Sequence, residues 1–183
     1  MANPTAPRPA PELDASHWFN TPGPIALGQL RGRVVVIEAF QMLCPGCVST
    51  GLPQAARIAA LFPKEHVQVI GLHSVFEHHE AQGSPAALTA FIHEYCWPFP
   101  IALDARGDGD RLPRTMLAYG LQGTPSLILI DRAGFVRHQH FGHVDDMAVG
   151  AQIMALVQQP LPDADGPIPR TRADGCSDEG CAA

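Results

Sequence analysis

The run Val34-Val35-Val36-Ile37-Glu38-Ala39-Phe40, followed by Gln41-Met42-Leu43 and then Cys44-Pro45-Gly46-Cys47, decides the fold of this chain. An unbroken apolar, β-branched stretch reads as a central strand covered on both faces, because a strand with one wet face alternates instead. After the cysteines, Leu52, Ala55, Ala56, Ala59, Ala60 and Phe62 recur at helical spacing up to Pro63. The cysteine pair therefore falls at a strand-to-helix junction. With Cys44 as N-cap, Pro45 takes the first helical position, where a missing N–H costs nothing. Cys47 then lies one turn in, close enough for the two sulfurs to bond. The orphan N–H groups and the positive end of the helix dipole favour a thiolate at Cys44. A disulfide across so short a loop adds little chain-entropy stability, so the pair is read as chemical rather than structural.

Outward from this junction the pattern keeps alternating. Val67-Gln68-Val69-Ile70-Gly71-Leu72 is a second strand. Ser84-Pro85 reads as an N-cap and first-turn proline opening a helix through Leu88, Phe91, Ile92 and Tyr95, which Pro98 stops. Ile101 to Leu103 is a short strand, and Thr115 to Tyr119 a short helix ending at Gly120. Ser126–Ile130 and Phe135–Phe141 are strands joined at Asp131-Arg132-Ala133-Gly134, a hairpin signal. A last helix runs from about Asp145 to Val157. Strand–helix alternation followed by a hairpin predicts an α/β domain with a mixed sheet, parallel first and antiparallel at its edge.

The 183 residues accommodate one such domain with tails. Residues 1–16, rich in Pro and Ala, read as a flexible N-terminal arm, 17–158 as the domain, and 159–183 as a flexible, polar tail. A formal net charge of −6, with scattered Lys and Arg, argues against nucleic acid or an anionic membrane surface as partner. The start of the sequence shows no basic segment leading into an apolar one, so a cytoplasmic location is expected. There thiols are kept reduced, and five cysteines point to catalysis or metal binding rather than a disulfide framework.

Glu38 is the charged exception in the central strand, six positions before Cys44. Buried there, its carboxyl would titrate nearer neutrality and could take the proton from Cys47 as that thiol attacks a mixed disulfide. The competing reading is a strand-end glutamate facing water or paired with an arginine. Gly123-Thr124-Pro125-Ser126 leads into a strand, where Pro125 cannot donate a ladder bond, and a cis Thr124-Pro125 peptide would account for it.

Taken together, these residues resemble the thioredoxin superfamily, specifically its TlpA/ResA-like (redoxin) branch. The resemblance runs from Ile25 to about Val157 through Leu30-Arg31-Gly32-Arg33, the central strand, Cys44-Pro45-Gly46-Cys47, Tyr119 to Ser126 with its GxxGTP, and Ile130-Asp131-Arg132-Ala133-Gly134. It implies a thioredoxin-like fold, a central mixed β-sheet flanked by helices, with Ser74 to Phe99 as a helix-bearing insertion. It also implies Cys44 as attacking nucleophile, Cys47 as resolving thiol, and Glu38 as the acid beneath them. A cis-Pro125 loop would pack against the pair, with Thr124, Pro45 and Leu43 meeting the substrate. Leu43 replaces the tryptophan usual before the first cysteine, and Pro-Gly replaces the Gly-Pro of thioredoxins. The expected partners are a protein or small-molecule disulfide and an electron donor or acceptor.

Cys176 and Cys181 are expected to form an auxiliary redox pair, able to exchange with Cys44–Cys47. Cys96, beside Trp97, reads as a buried small hydrophobe, and Phe76, Phe91, Trp97 and Phe99 as packing. No metal site is expected from His78-His79-Glu80 or His138-Gln139-His140, and no cofactor beyond the redox-active disulfide. Two other readings stand beside dithiol exchange: a peroxiredoxin-like thiol peroxidase, and a non-enzymatic metal-binding or interaction module on the same fold. Against the peroxidase, Gln41 stands where the Pro-x-x-x-Thr/Ser-x-x-Cys pattern needs a hydroxyl.

Overall fold

The computed structural model describes residues 8–107 and 109–160. Cys176 and Cys181 lie outside them. The central strand is β3 (Val34–Phe40), buried along its whole length. It is flanked by β4 (Val67–His73) in parallel and by β6 (Ser126–Ile130) in antiparallel. With β1 (Arg8–Pro9), β2 (Ala15–Phe19), β5 (Ile101–Asp104) and β7 (Phe135–Phe141), the sheet has seven strands in the order β1-β7-β6-β3-β4-β5-β2. This is a thioredoxin-like fold: a mixed sheet between two helical layers.

Period-two alternation sorts the core. Val34, Val36 and Phe40 face one layer, packed with Cys47, Leu52, Ala55 and Ile58, Leu88 and Ile92, and Val149 and Ile153. These come from α1 (Leu52–Leu61), α3 (Pro85–Tyr95) and α5 (Asp146–Val157), with Cys47 from the turn preceding α1. Val35, Ile37 and Ala39 face the other layer, with Met116 and Tyr119 of α4 (Arg114–Tyr119) and Leu27 and Leu30 of a short 3-10 turn. The same alternation puts Glu38 on the α1 side of the sheet, beneath the cysteines.

The expected Ser84 cap is present, and Asp145 caps the last helix. The Ser84 side chain accepts from the Ala87 N–H, and Asp145 accepts from those of Met147 and Ala148. Gly120 closes α4 in the left-handed region, and Gly134 completes the β6–β7 turn with φ +82°. A side chain at 134 is doubly excluded, because the Arg31 guanidinium occupies the space where its Cβ would sit.

The expectation of a free arm through residue 16 is corrected over 8–16. β1 pairs with β7 and β2 with β5, both antiparallel and both at sheet edges. An edge strand tolerates Pro9, since one side of it needs no ladder donor. Arg8 fastens β1 by donating to the Tyr119 carbonyl and the Gln139 side chain. Cys96 is corrected as well: it is exposed, at φ +53°, because it takes the left-handed position that ends α3. The ring chain Phe91–Tyr95–Trp97–Phe99 packs beside it. Among the described residues no helix is long and apolar enough to cross a membrane.

Candidate active site

The helix after β3 begins at Pro45, as its fixed φ favours, and Cys44 stands at its mouth. Residues Cys47–Gly51 form a π-turn before α1 proper. Pro53 supplies the reason: it has no N–H for the Ser49 carbonyl, and widening the preceding turn relieves its ring against that carbonyl. Cys44 is partly exposed and Cys47 fully buried. The Cys47 backbone N–H donates to the Cys44 sulfur at 3.2 Å, and the Cys44 thiol reaches the Thr124 carbonyl at 3.6 Å.

The Thr124-Pro125 peptide is cis. The Pro125 ring lies over the turn, 3.5 Å from where a Cβ on Gly46 would stand and 3.1 Å from one on Gly51. Beneath the same turn, the Glu38 carboxyl abuts Gly51 so closely that any Cβ at 51 would overlap its Oε1. Glu38 is buried, with Oε1 lacking a hydrogen-bond partner, so the water-facing alternative does not hold. Burial pushes its carboxyl well above the ordinary range, and the nearby charge of Cys44 pushes it further. Cys47 is raised to about 12, first by burial and then by its contact with the Cys44 side chain. The pair is thus asymmetric, with an accessible outer sulfur and a buried inner one that needs a proton acceptor.

Three residues that sequence patterning passed over complete the site. Gln41 is buried, and its side-chain oxygen accepts from the N–H groups of Phe76 and Glu77 and from the Gln82 amide. Gln82 lies at the end of α2 (His79–Gln82), also buried; its oxygen accepts the Leu43 N–H at 3.1 Å and its amide donates to the Glu77 carbonyl at 2.8 Å. His73 is fully buried, with Nε2 2.9 Å from the Gln82 carbonyl and Nδ1 3.3 Å from that of Phe40. The insertion therefore forms one wall of a cavity of about 370 Å³ beside Cys44, and Phe76 lines that wall as well as packing. Leu43, Pro45 and Thr124 line it too.

His138 and His140 share one face of β7 with rings stacked at 5.9 Å, but among the described residues no cluster of three metal-ligating side chains forms.

Fold and cysteine pair together define a thioredoxin-like protein with a CxxC at its first helix. The chain belongs to the AhpC/TSA family, whose pattern matches residues 7–139. It is 52% identical, with a TM-score of 0.82, to a solved thioredoxin-like superfamily protein, over 84% of this chain and 99% of that one. It is 49% identical, with a TM-score of 0.78, to a thiol-disulfide isomerase from Corynebacterium glutamicum, over 82% of this chain and 98% of that one. Protein DipZ of Mycobacterium bovis is 30% identical over 87% of this chain, which spans 22% of that protein's length. The thiol:disulfide interchange protein DsbE of Allochromatium vinosum is 25% identical over 88% of this chain and 77% of that protein.

Proposed function

We propose that this chain exchanges the Cys44–Cys47 dithiol with disulfides of other proteins. The observation that carries the reading is the asymmetry of the pair: a partly exposed sulfur at a helix mouth, backed by a buried thiol above a buried carboxyl.

In the reductive direction the Cys44 thiolate attacks a substrate disulfide, forming a mixed disulfide and releasing one substrate thiolate. Cys44 thereby loses its negative charge, and with it one of the two causes that raise the Glu38 carboxyl. Glu38 then ionises more readily, its own proton passing through solvent to the released substrate thiolate, and the resulting carboxylate accepts the Cys47 proton. The Cys47 thiolate displaces the substrate's second sulfur from Cys44, closing the internal disulfide. Two electrons pass to the substrate, and the reverse sequence oxidises a substrate dithiol. Pro125 and the Thr124 carbonyl hold the pair against the incoming chain.

The test is insulin-disulfide reduction beside peroxide consumption, on wild type, Cys44→Ser and Cys47→Ser. The expected result is turnover of insulin that either substitution abolishes, with Cys47→Ser accumulating a mixed disulfide at Cys44. Peroxide consumption that outruns insulin reduction and survives Cys47→Ser would support the peroxidase reading instead.

A further inference from the structure

The wall of the cavity beside Cys44 is built rather than loose. Buried Gln41 and Gln82 hold Glu77 by both its backbone N–H and its carbonyl, which fixes where its side chain departs. Glu77 itself is exposed, and it is the carboxylate among the described residues lining the cavity, which also include Cys44 and the neighbouring His78 but no Lys or Arg. Around it the lining combines exposed apolar side chains with the amides of Gln41, Gln82 and Gln122 and with Thr124. Leu43 and Phe141 are 56% and 61% exposed, and Phe76 lines the cavity while packing on the core. Phe141 is seated on Gly123, where a Cβ would meet its ring at 2.9 Å.

Exposed large apolar side chains at the mouth of a reactive thiol make a surface that a partner covers. An acidic group lining the same cavity as exposed Leu43 and Phe141 suits one kind of occupant, a long side chain with an aliphatic stem and a cationic head. The stem lies on Leu43 and Phe141, where aromatic faces also attract the cation, and the head reaches the Glu77 carboxylate. An acidic neighbour would meet Glu77 with like charge.

Resting on the exchange reading above, the geometry points to Glu77 as a specificity-determining residue that selects disulfides flanked by lysine or arginine over those flanked by acidic residues. Glutathione disulfide, which carries several carboxylates, falls in the disfavoured class.

The test uses two reporter-labelled peptide disulfides, alike except that lysine or glutamate flanks the cysteine, with bis(2-hydroxyethyl) disulfide as a neutral probe. The readout is the ratio of kcat/KM for the two peptides within each protein. Wild type should prefer the lysine peptide by about fivefold at low salt, less as salt rises. Glu77→Gln should bring the ratio near one, and Glu77→Lys should invert it. Equal rates in wild type, or a preference that survives charge reversal, overturns the assignment to Glu77. If wild type reduces neither the peptides nor the neutral probe, the exchange reading itself fails.

Discussion

The side-chain oxygen of Gln82 accepts the backbone N–H of Leu43 at 3.1 Å, joining the residue before the outer cysteine to a helix thirty-nine positions later. Gln41 braces the surroundings of that bond: its backbone carbonyl accepts the N–H of Cys44, next to Leu43, and its side chain accepts from Gln82. The loop that presents the sulfur is therefore shaped from the insertion as well as from β3.

Gln82→Ala should expose this dependence. It takes the partner from the Leu43 N–H and the Glu77 carbonyl, both in partly buried bonds, and an unsatisfied group costs about 1–3 kcal/mol when fully buried and less where water reaches it. A loss of about 1–2 kcal/mol in denaturant unfolding is expected, with faster amide exchange at Leu43 as the local signature.

Glu38 sets a slope of stability against pH. A carboxyl raised by folding favours the protonated folded state, so its contribution is complete below the unfolded value of about 4.3 and is lost as pH rises toward the folded value. Asp104 is also raised by burial and adds to this slope, whereas His73, lowered by burial, loses stability as pH falls below about 6.5. Subtracting the Glu38→Gln curve from the wild-type curve isolates the Glu38 part. That difference should turn against wild type above about pH 5, because the amide carries no charge to desolvate.

The same substitution should slow closure of the internal disulfide. Removing a positioned proton acceptor costs on the order of 100-fold, so stopped-flow release of the second substrate thiol should drop by about that factor. Release of the first thiol, which Cys44 alone performs, should change far less.

How far the sequence foretold this site follows from the range of each interaction. β3, the helix after Cys47 and the β6–β7 hairpin were legible because their signals are local: an apolar run, a 3.6-residue period, a turn tetrapeptide. Glu38 stood out because a charge inside such a run is costly. β1 and β2 were not legible, since edge strands of two and five residues rely on pairing with β7 and β5, and Pro9 argues locally against a strand. Gln41 and Gln82 gave no signal, because a buried amide declares itself only through partners distant in sequence. Pro53 was a signal for the π-turn that helical periodicity masked.

Burial ranks the three described thiols by access. In the native reduced protein, iodoacetamide should modify Cys96 and Cys44 while Cys47 reacts at least about tenfold more slowly. Peptide mass mapping over a time course reads the order. Because exposed Cys96 would also be captured, mixed-disulfide trapping needs Cys96→Ser beside Cys47→Ser.

Gly51 offers the sharpest steric test of the arrangement beneath the pair. Its φ of −61° is ordinary helix, so alanine there carries no backbone penalty and should gain slightly from helix propensity. Yet the added methyl would overlap the Glu38 carboxyl and press on Pro125. Relief requires moving either the buried acid or the loop against the sulfurs, and overpacking of this kind costs about 1–3 kcal/mol. Gly51→Ala should therefore lower Tm and disulfide exchange together. Pairing it with Glu38→Ala, which removes the colliding carboxyl, should restore much of the stability without restoring resolution by Cys47. Additive losses in the double variant would mean that the two side chains do not meet.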